Sequence, residues 1–324
     1  MKTKQDSIFS SKTLTYFLQL AETMSYTQAA QILGITQPAL TQQIKKLERT
    51  VGAPLFYSVG KKLHLSDAGY TMLDATHQIY ETLNEAADEI QQSTDALQGE
   101  IHLGILASIE DRIFSRFAIE YYLLHPGIKI TFHMLTRKEI WERLENNEID
   151  LAIMYLPDES IKNWKPYQSK TILTEDLLFL HNRPEYFKKK NIRLRDTTEN
   201  SWVTYPPDYY LHGALLEAYK NSMIDPPSAV AYFAKPEQLF EFANSTDVYT
   251  ALPASFVRAH NYTPNGKAKM HTAHFDPPIR FELSFIFRKG KDQIPRVANF
   301  LREFDDYLEK KDYDSRLTEL SKQS

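Results

Sequence analysis

Between residues 68 and 97, Ala68, Met72, Thr76, Ile79, Leu83, Ala86, Ile90, Ser93 and Leu97 recur at steps of four and three, with Glu, Gln, Asn, Asp and Thr between them. A helix of about 30 residues with only so narrow a stripe to bury calls for a partner helix. The stripe either packs on another part of its own chain or pairs with a second copy. It also divides the chain, because 324 residues exceed one ordinary core. The expected segments are a head at 1–66, a linker helix at 67–98, a large body at 99–308 and a tail at 309–324.

The formal net charge of -4 conceals an asymmetry across this divide. Residues 1–65 hold eight Lys/Arg against three Asp/Glu, a net of +5, while the rest hold 30 against 39, a net of -9. A basic head on an acidic body points to a polyanion at one end. Cysteine is absent, which excludes disulfides, thiolate metal clusters and a cysteine nucleophile. The first nine residues lack the apolar run of a signal peptide, and no stretch approaches the roughly 18 apolar residues of a spanning helix. A cytoplasmic address is expected, with no membrane partner.

Within the head, Leu14, Phe17, Leu18 and Ala21 mark an amphipathic helix over 11–23. Thr27 is read as the N-cap of a compact second helix carrying Ala29, Ala30, Ile32 and Leu33, which Gly34 stops. Thr36 caps a third helix with Pro38 in its first turn, where a missing N–H costs nothing. Ala39, Leu40, Ile44, Leu47 and Val51 are its expected core positions. Its other face offers Gln37, Thr41, Gln42, Lys45, Lys46 and Arg49, side chains able to bond base edges or phosphates. That is a helix-turn-helix pattern. From Pro54 to Leu65, Gly60, Lys61 and Lys62 form the basic tip of an expected two-stranded wing.

Three short helices also form domains that touch no nucleic acid, and periodicity alone leaves both readings open. The residue identities go further. Leu14, Phe17, Ala21, Glu22, Ser25, Tyr26, Thr27, Ala29, Ala30 and Leu33 lead into Gln37-Pro38-Ala39-Leu40-Thr41, followed by Ile44, Leu47, Glu48, Gly52, Leu55, Phe56, Leu65, Ser66, Ala68 and Gly69. This run closely resembles the DNA-binding domain of LysR-type bacterial transcriptional regulators. One position departs: the family usually has an arginine two residues after the Leu-Phe pair, and Ser58 stands there. Lys61 and Lys62 are the available replacements for its phosphate contact.

Beyond Gly99, strands alternate with helices: strands near 101–105, 129–135, 150–155, 177–181, 201–205, 229–233, 248–252 and 282–287, with helices between them and a closing helix at 296–308. Two α/β lobes emerge. The resemblance continues more loosely through Leu103-Gly104, Pro126, Glu148 to Ile153, Leu177 to Pro184 and Ala251-Leu252-Pro253. It implies an N-terminal all-α winged helix-turn-helix with a long linker helix, joined to a C-terminal two-lobed α/β effector domain like a periplasmic binding protein.

Strand C-termini in open α/β sheets leave a crevice beside helix N-termini. Ser108, Thr136, Tyr155, Tyr205, Thr246 and Val248 are therefore the effector-contact candidates. The run Tyr205 to Tyr210 adds aromatic surface, and Glu110 and Asp111, if they point inward, disfavour a strongly anionic effector. The DNA-contact candidates are Ser25, Thr27, Thr36, Gln37, Pro38, Thr41, Gln42, Lys45, Lys46, Arg49, Lys61 and Lys62. The dimer candidates are Met72, Ile79, Leu83, Ala86 and Ile90, since paired heads match paired half-sites.

His260, His271 and His274 form the histidine cluster, which is read as part of a surface loop rather than a zinc site. No phosphate loop or nucleophile elbow appears, so no catalysis, metal or cofactor is expected. The expected partners are double-stranded DNA, a small-molecule effector, a homodimer or tetramer, and RNA polymerase. The competing readings are a small-molecule binder of solute-binding type without DNA function, and an enzyme with a closing cleft. The tail is expected to be loosely held.

Overall fold

The computed structural model describes residues 10–60, 62–92, 96–157, 166–260 and 270–323, so the candidate Lys61 and the stripe position Ser93 lie outside the described residues. The chain forms two compact units, Met1–Ala87 and Asp88–Ser324.

In the N-terminal unit, α1 (Ser11–Thr23), α2 (Tyr26–Ile32) and α3 (Gln37–Val51) each begin at a hydroxyl cap. Ser10, Ser25 and Thr36 accept the N–H groups of Thr13, Gln28 and Ala39 respectively. This corrects the expectation for Thr27, which lies inside α2; Ser25 has the extended backbone that a cap requires. Phe17, Leu20, Ala29, Leu40, Ile44 and Leu47 are fully buried where the helices cross. Ala39, Val51 and Ile32, read as apolar packing positions, are exposed. Ala39 is rotated about 100° from the Leu40 row, and the other two stand in last turns that no neighbouring helix covers.

The wing forms as expected from β1 (Phe56–Val59) and β2 (Lys62–Leu65), antiparallel around Gly60 at φ +61°. Ser66 then starts α4 (Asp67–Gln92): its hydroxyl donates to Pro54 O and accepts the N–H of Gly69. A side chain at Gly69 would collide with the Leu55 carbonyl, so α4 can leave the wing this closely only with glycine there. Ala68, Met72 and Leu73 pack on the core of the head, and the Tyr80 hydroxyl bonds Thr15 Oγ1 at 3.0 Å. Met72, a dimer candidate, is thus partly covered by its own unit. Ile79, Leu83 and Ile90 remain 42%, 59% and 70% exposed.

In the C-terminal unit, β3 (Gly99–Leu106), α5 (Arg112–Leu124), β4 (Ile128–Leu135), α6 (Arg137–Glu145) and β5 (Leu151–Leu156) form parallel β-α-β units with β3 between β4 and β5. The chain continues through β6 (Tyr167–His181), β7 (Asn191–Arg193), β8 (Trp202–Thr204), α7 (Tyr210–Asn221), β9 (Ala229–Tyr232), α8 (Pro236–Thr246), β10 (Thr250–Pro253), α9 (Ala254–Ala259), β11 (His271–Asp276), β12 (Arg280–Arg288), α10 (Pro295–Lys310) and α11 (Tyr313–Gln323). Eight of these strands run in the order β4-β3-β5-β12-β6-β11-β7, with β10 also on β6, and β8 pairs with β9 apart from them.

β6 serves both lobes. Its residues 167–176 pair with β12, and Leu177 to Leu180 pair with β10. The sequence reading saw only its second half, because the first half alternates polar and apolar residues and stands out little from a loop. A second crossing runs from β11 to β12, and Leu177 N donates to Ile279 O at 2.9 Å between the two crossings.

Two further expectations are corrected. The tail is ordered: α11 buries Tyr313 and Leu317 and packs on α5 and α9. Its anchors are too widely spaced among charged residues to read as a stripe. His271 and His274 lie on strand β11 rather than in a loop, and the three histidines go separate ways. His260 bonds Glu110, His271 stacks on Phe187 and His274 pairs with Asp176.

Candidate nucleic-acid interface and ligand cleft

The surface of α3 follows from its buried row. With Leu40, Ile44 and Leu47 turned inward, the helical period turns Gln37, Gln42, Lys45, Lys46 and Arg49 outward, and all five are exposed. Thr41 is half-buried, its hydroxyl donating to Gln37 O. Thr36 and Pro38 are exposed at the helix start. Ser25 is half-buried as the cap of α2, with Thr27 exposed beside it. Lys62 is exposed at the wing, paired in register with Val59. The described DNA-contact candidates therefore share one small unit, and the cations among them are open to solvent.

In the body, β3, β4 and β8 end at Leu106, Leu135 and Thr204, and a helix N-terminus follows each. Ser108, Tyr155 and Tyr205 are all at most 2% exposed. The Tyr155 hydroxyl reaches Ser108 O at 3.5 Å, and its ring lies 5.7 Å from Tyr210 of the other lobe. Tyr205 stacks on Tyr209 at 6.1 Å. The aromatic run after β8 thus meets the end of β5 in the first lobe through Tyr210. Tyr209 and Tyr210 also border an open groove of about 730 Å³ with Arg137, Pro157 and Ile279.

Thr136 is engaged elsewhere: its hydroxyl accepts from Glu139 N, and the Glu139 carboxylate accepts from Thr136 N at 2.8 Å, closing a capping box on α6. Thr246 and Val248 are not brought to the other candidates. Thr246 lies in the last turn of α8, its hydroxyl donating to Phe242 O. Val248 precedes Tyr249, which bonds Ser201 and Val203 at the start of β8, the end opposite Tyr205. Thr246 and Val248 thus both precede β10, on the side where its strand begins.

Sequence reasoning treated Glu110 and Asp111 only as a possible repulsion and passed over Glu175, Glu237 and Tyr313. Burial works to raise the Glu110 carboxyl, but hydrogen bonds from His260 and Arg112 outweigh it and hold it below the usual range. Burial first, and then the negative charge of Glu110, raises Asp111. Tyr155, Tyr205 and Tyr313 are driven well above the ordinary phenol range by burial. The visible signal for Glu237 was its place directly after Lys235-Pro236, an acidic residue in the first turn of a proline-started helix. Among the described residues no group of His, Asp or Glu is arranged to hold a metal ion.

Residues 11–70 match the model of the bacterial regulatory helix-turn-helix proteins of the lysR family, and residues 94–309 match that of the LysR substrate binding domain. The chain belongs to the LysR family. Among relatives, the HTH-type transcriptional activator CmpR of Synechocystis sp. is 32% identical over 148 residues, which are 45% of this chain. This alignment spans about half of the activator, 47% of its length. The fold is shared with full-length LysR-family structures. A full-length OxyR variant from Pseudomonas aeruginosa has a TM-score of 0.57 at 19% identity, covering 91% of this chain and 94% of that one. Full-length CbnR complexed with its target DNA has a TM-score of 0.50 at 19% identity, covering 92% and 99%. The LysR head and two-lobed body account for both units, while α11 lies beyond the end of the substrate-domain match at 309. No described helix is long and apolar enough to cross a membrane.

Proposed function

We propose that this LysR-family chain regulates transcription by binding double-stranded promoter DNA as a homodimer or tetramer, in the compartment that holds the chromosome. The observation that carries the proposal is the two-sided α3, buried through Leu40, Ile44 and Leu47 and exposed through Gln37, Gln42, Lys45, Lys46 and Arg49. Such a helix enters a major groove with its polar face, and the wing lysine adds a phosphate contact. Gln37, Thr41, Gln42 and Lys45 read bases, while Ser25, Thr27, Lys46, Arg49 and the wing bond the backbone. The exposed Ile79, Leu83 and Ile90 supply the pairing stripe on α4. The relative CbnR, solved with its target DNA, supports this mode of action.

In this reading a small-molecule effector occupies the space where the strand ends of the two lobes meet, around Ser108, Tyr155 and Tyr205. It acts by binding the two lobe arrangements unequally, which changes head spacing and contact with RNA polymerase. The test is a binding titration of full-length protein on its own upstream DNA against a scrambled fragment of equal length. Preferential binding of the upstream fragment by a dimer or larger oligomer is expected. Equal, weak binding of both fragments would favour a plain small-molecule binder.

A further inference from the structure

A cavity of about 340 Å³ opens between β6, α9 and the junction of α10 with α11. None of Ser108, Tyr155 and Tyr205 lines it, and three of its wall residues, Asp312, Tyr313 and Asp314, lie beyond the end of the substrate-domain match at 309. A pocket of this size takes a small organic molecule. Two buried polar groups in its wall lack partners. Glu175 is 2% exposed and Tyr313 6%. Glu175 Oε1 accepts the N–H of Ser255 at 2.9 Å, while Glu175 Oε2 and the Tyr313 hydroxyl have no hydrogen-bond partner among the described residues. A buried polar group left in that state is costly unless something completes it.

The rest of the wall sets the chemistry of what can complete them. Ile172, Leu173, Ala254 and Leu308 supply apolar surface, which suits an alkyl chain and offers water no bond. The charged lining is acidic: Glu175, Asp176, Asp312 and Asp314 stand against Arg258. Arg258 is paired with Asp314, Asp176 with Arg280 at 3.0 Å, and Asp312 accepts the N–H of Ser315 at 2.9 Å. An incoming anion would thus meet no unpaired cation among the described lining residues. Burial disfavours the charged form of Glu175, and a positive group placed on Oε2 offsets that cost. The Glu175 charge also reaches Tyr313, where it adds to burial in raising the phenol.

We propose that this cavity is a second ligand site of the body, apart from the effector cleft. It takes a small alkylammonium or alkylguanidinium compound, with the cationic head bonded to Glu175 Oε2 and the Tyr313 hydroxyl and the chain lying on Ile172, Leu173, Ala254 and Leu308. Such a head carries several N–H donors, so one ligand completes both buried oxygens. An organic cation is favoured over a metal ion, since among the described residues no group of His, Asp or Glu is arranged to hold one. Glu175 lies on the strand that joins the lobes, and Tyr313 on the helix that packs on α5 and α9. The bound cation therefore fastens the C-terminal helix to the lobe crossing.

The test uses the full-length protein with n-butylamine and agmatine, both cationic at neutral pH, and with n-butanol and butyrate, which keep the butyl chain length without the positive charge. Binding is read by thermal shift and calorimetry. At least one amine is expected to raise the Tm and bind, while the alcohol and the carboxylate leave the protein unchanged. E175Q, which keeps side-chain shape, should weaken that binding by about tenfold, or about 1.4 kcal/mol. Y313F, which removes only the hydroxyl, should weaken it by about threefold. Both variants should retain the circular dichroism of the parent, and crystals soaked with the amine should show it against Glu175. No response to either amine, equal stabilisation by butanol or butyrate, undiminished amine binding by both variants, or an ordered water alone on Glu175 Oε2 would overturn the proposal. The upstream-DNA titration addresses the regulatory reading separately, since neither result depends on the other.

Discussion

The Glu48 carboxylate accepts the backbone N–H of Leu55 at 2.8 Å and also that of Phe56 at 3.3 Å. The last turns of α3 are thereby fastened to the start of the wing. Replacing Glu48 by Ala leaves two partly buried donors unpaired and should cost about 1–3 kcal/mol. Thermal melting of the head should show a lower transition, with Glu48→Gln recovering part of the loss. A melting curve for Glu48→Ala that overlays the parent would contradict this role.

Lys46 and Arg49 are exposed on α3, and each is expected to displace counterions on binding DNA. Truncating either to Ala should weaken binding to all sequences alike and reduce the salt slope of log K by about 1. Gln42→Ala should instead narrow the difference between right and wrong bases by about 1–3 kcal/mol. Anisotropy titrations at several salt concentrations distinguish the two behaviours.

Leu83 is 59% exposed near the middle of α4, where a partner helix would cover it. Leu83→Asp should place charge in that seam, shift sedimentation toward monomer and lower DNA affinity, with the helix content of the chain preserved. An unchanged sedimentation profile would move the pairing surface elsewhere.

Glu175 lies on β6 at the lobe crossing, where Oε1 accepts Ser255 N at 2.9 Å and Oε2 is buried without a partner. Burial pushes its carboxyl from 4.5 up to about 7. The folded form holds this proton more tightly than the unfolded chain. Its stabilising contribution is therefore complete below about pH 4.5 and is lost as the pH rises through about 7, on the order of 2–3 kcal/mol in all. Glu175→Gln should raise the Tm at pH 8, change it little near pH 4.5 and flatten the profile between. Equal effects at both pH values would show that the carboxyl ionises freely.

Leu317 is fully buried and Tyr313 lies 6.3 Å from Phe114, so α11 is part of the body's core. Leu317→Ala should cost about 2–5 kcal/mol in urea unfolding. No loss would mean that the helix detaches freely.

Legibility followed the strength of local signals. The start of α3 was readable from the Thr36 hydroxyl and Pro38, and the extent of α1 from its apolar stripe, although α1 ends on Met24 rather than on a glycine. The wing was readable from Gly60 between alternating apolar residues. The first half of β6, β7, β11 and α11 were missed because they are held by neighbours distant in sequence. β11, for example, is fixed by pairing with β6 and β7. The same limit governed the cleft. That Ser108, Tyr155 and Tyr205 stand at or just past strand ends was legible in the alternation of elements, whereas the position of Thr246 and Val248 depends on how the chain before β10 runs beside β8, which is set by contacts of Tyr249.

Because β6 and the β11–β12 connection cross side by side, tied by Leu177 N to Ile279 O and by Arg280 to Asp176 at 3.0 Å, the lobes share a spine of two strapped cords. Two parallel tethers suppress twisting and sliding far more than bending. A molecule held by both lobes would then be translated into a single angle of swing.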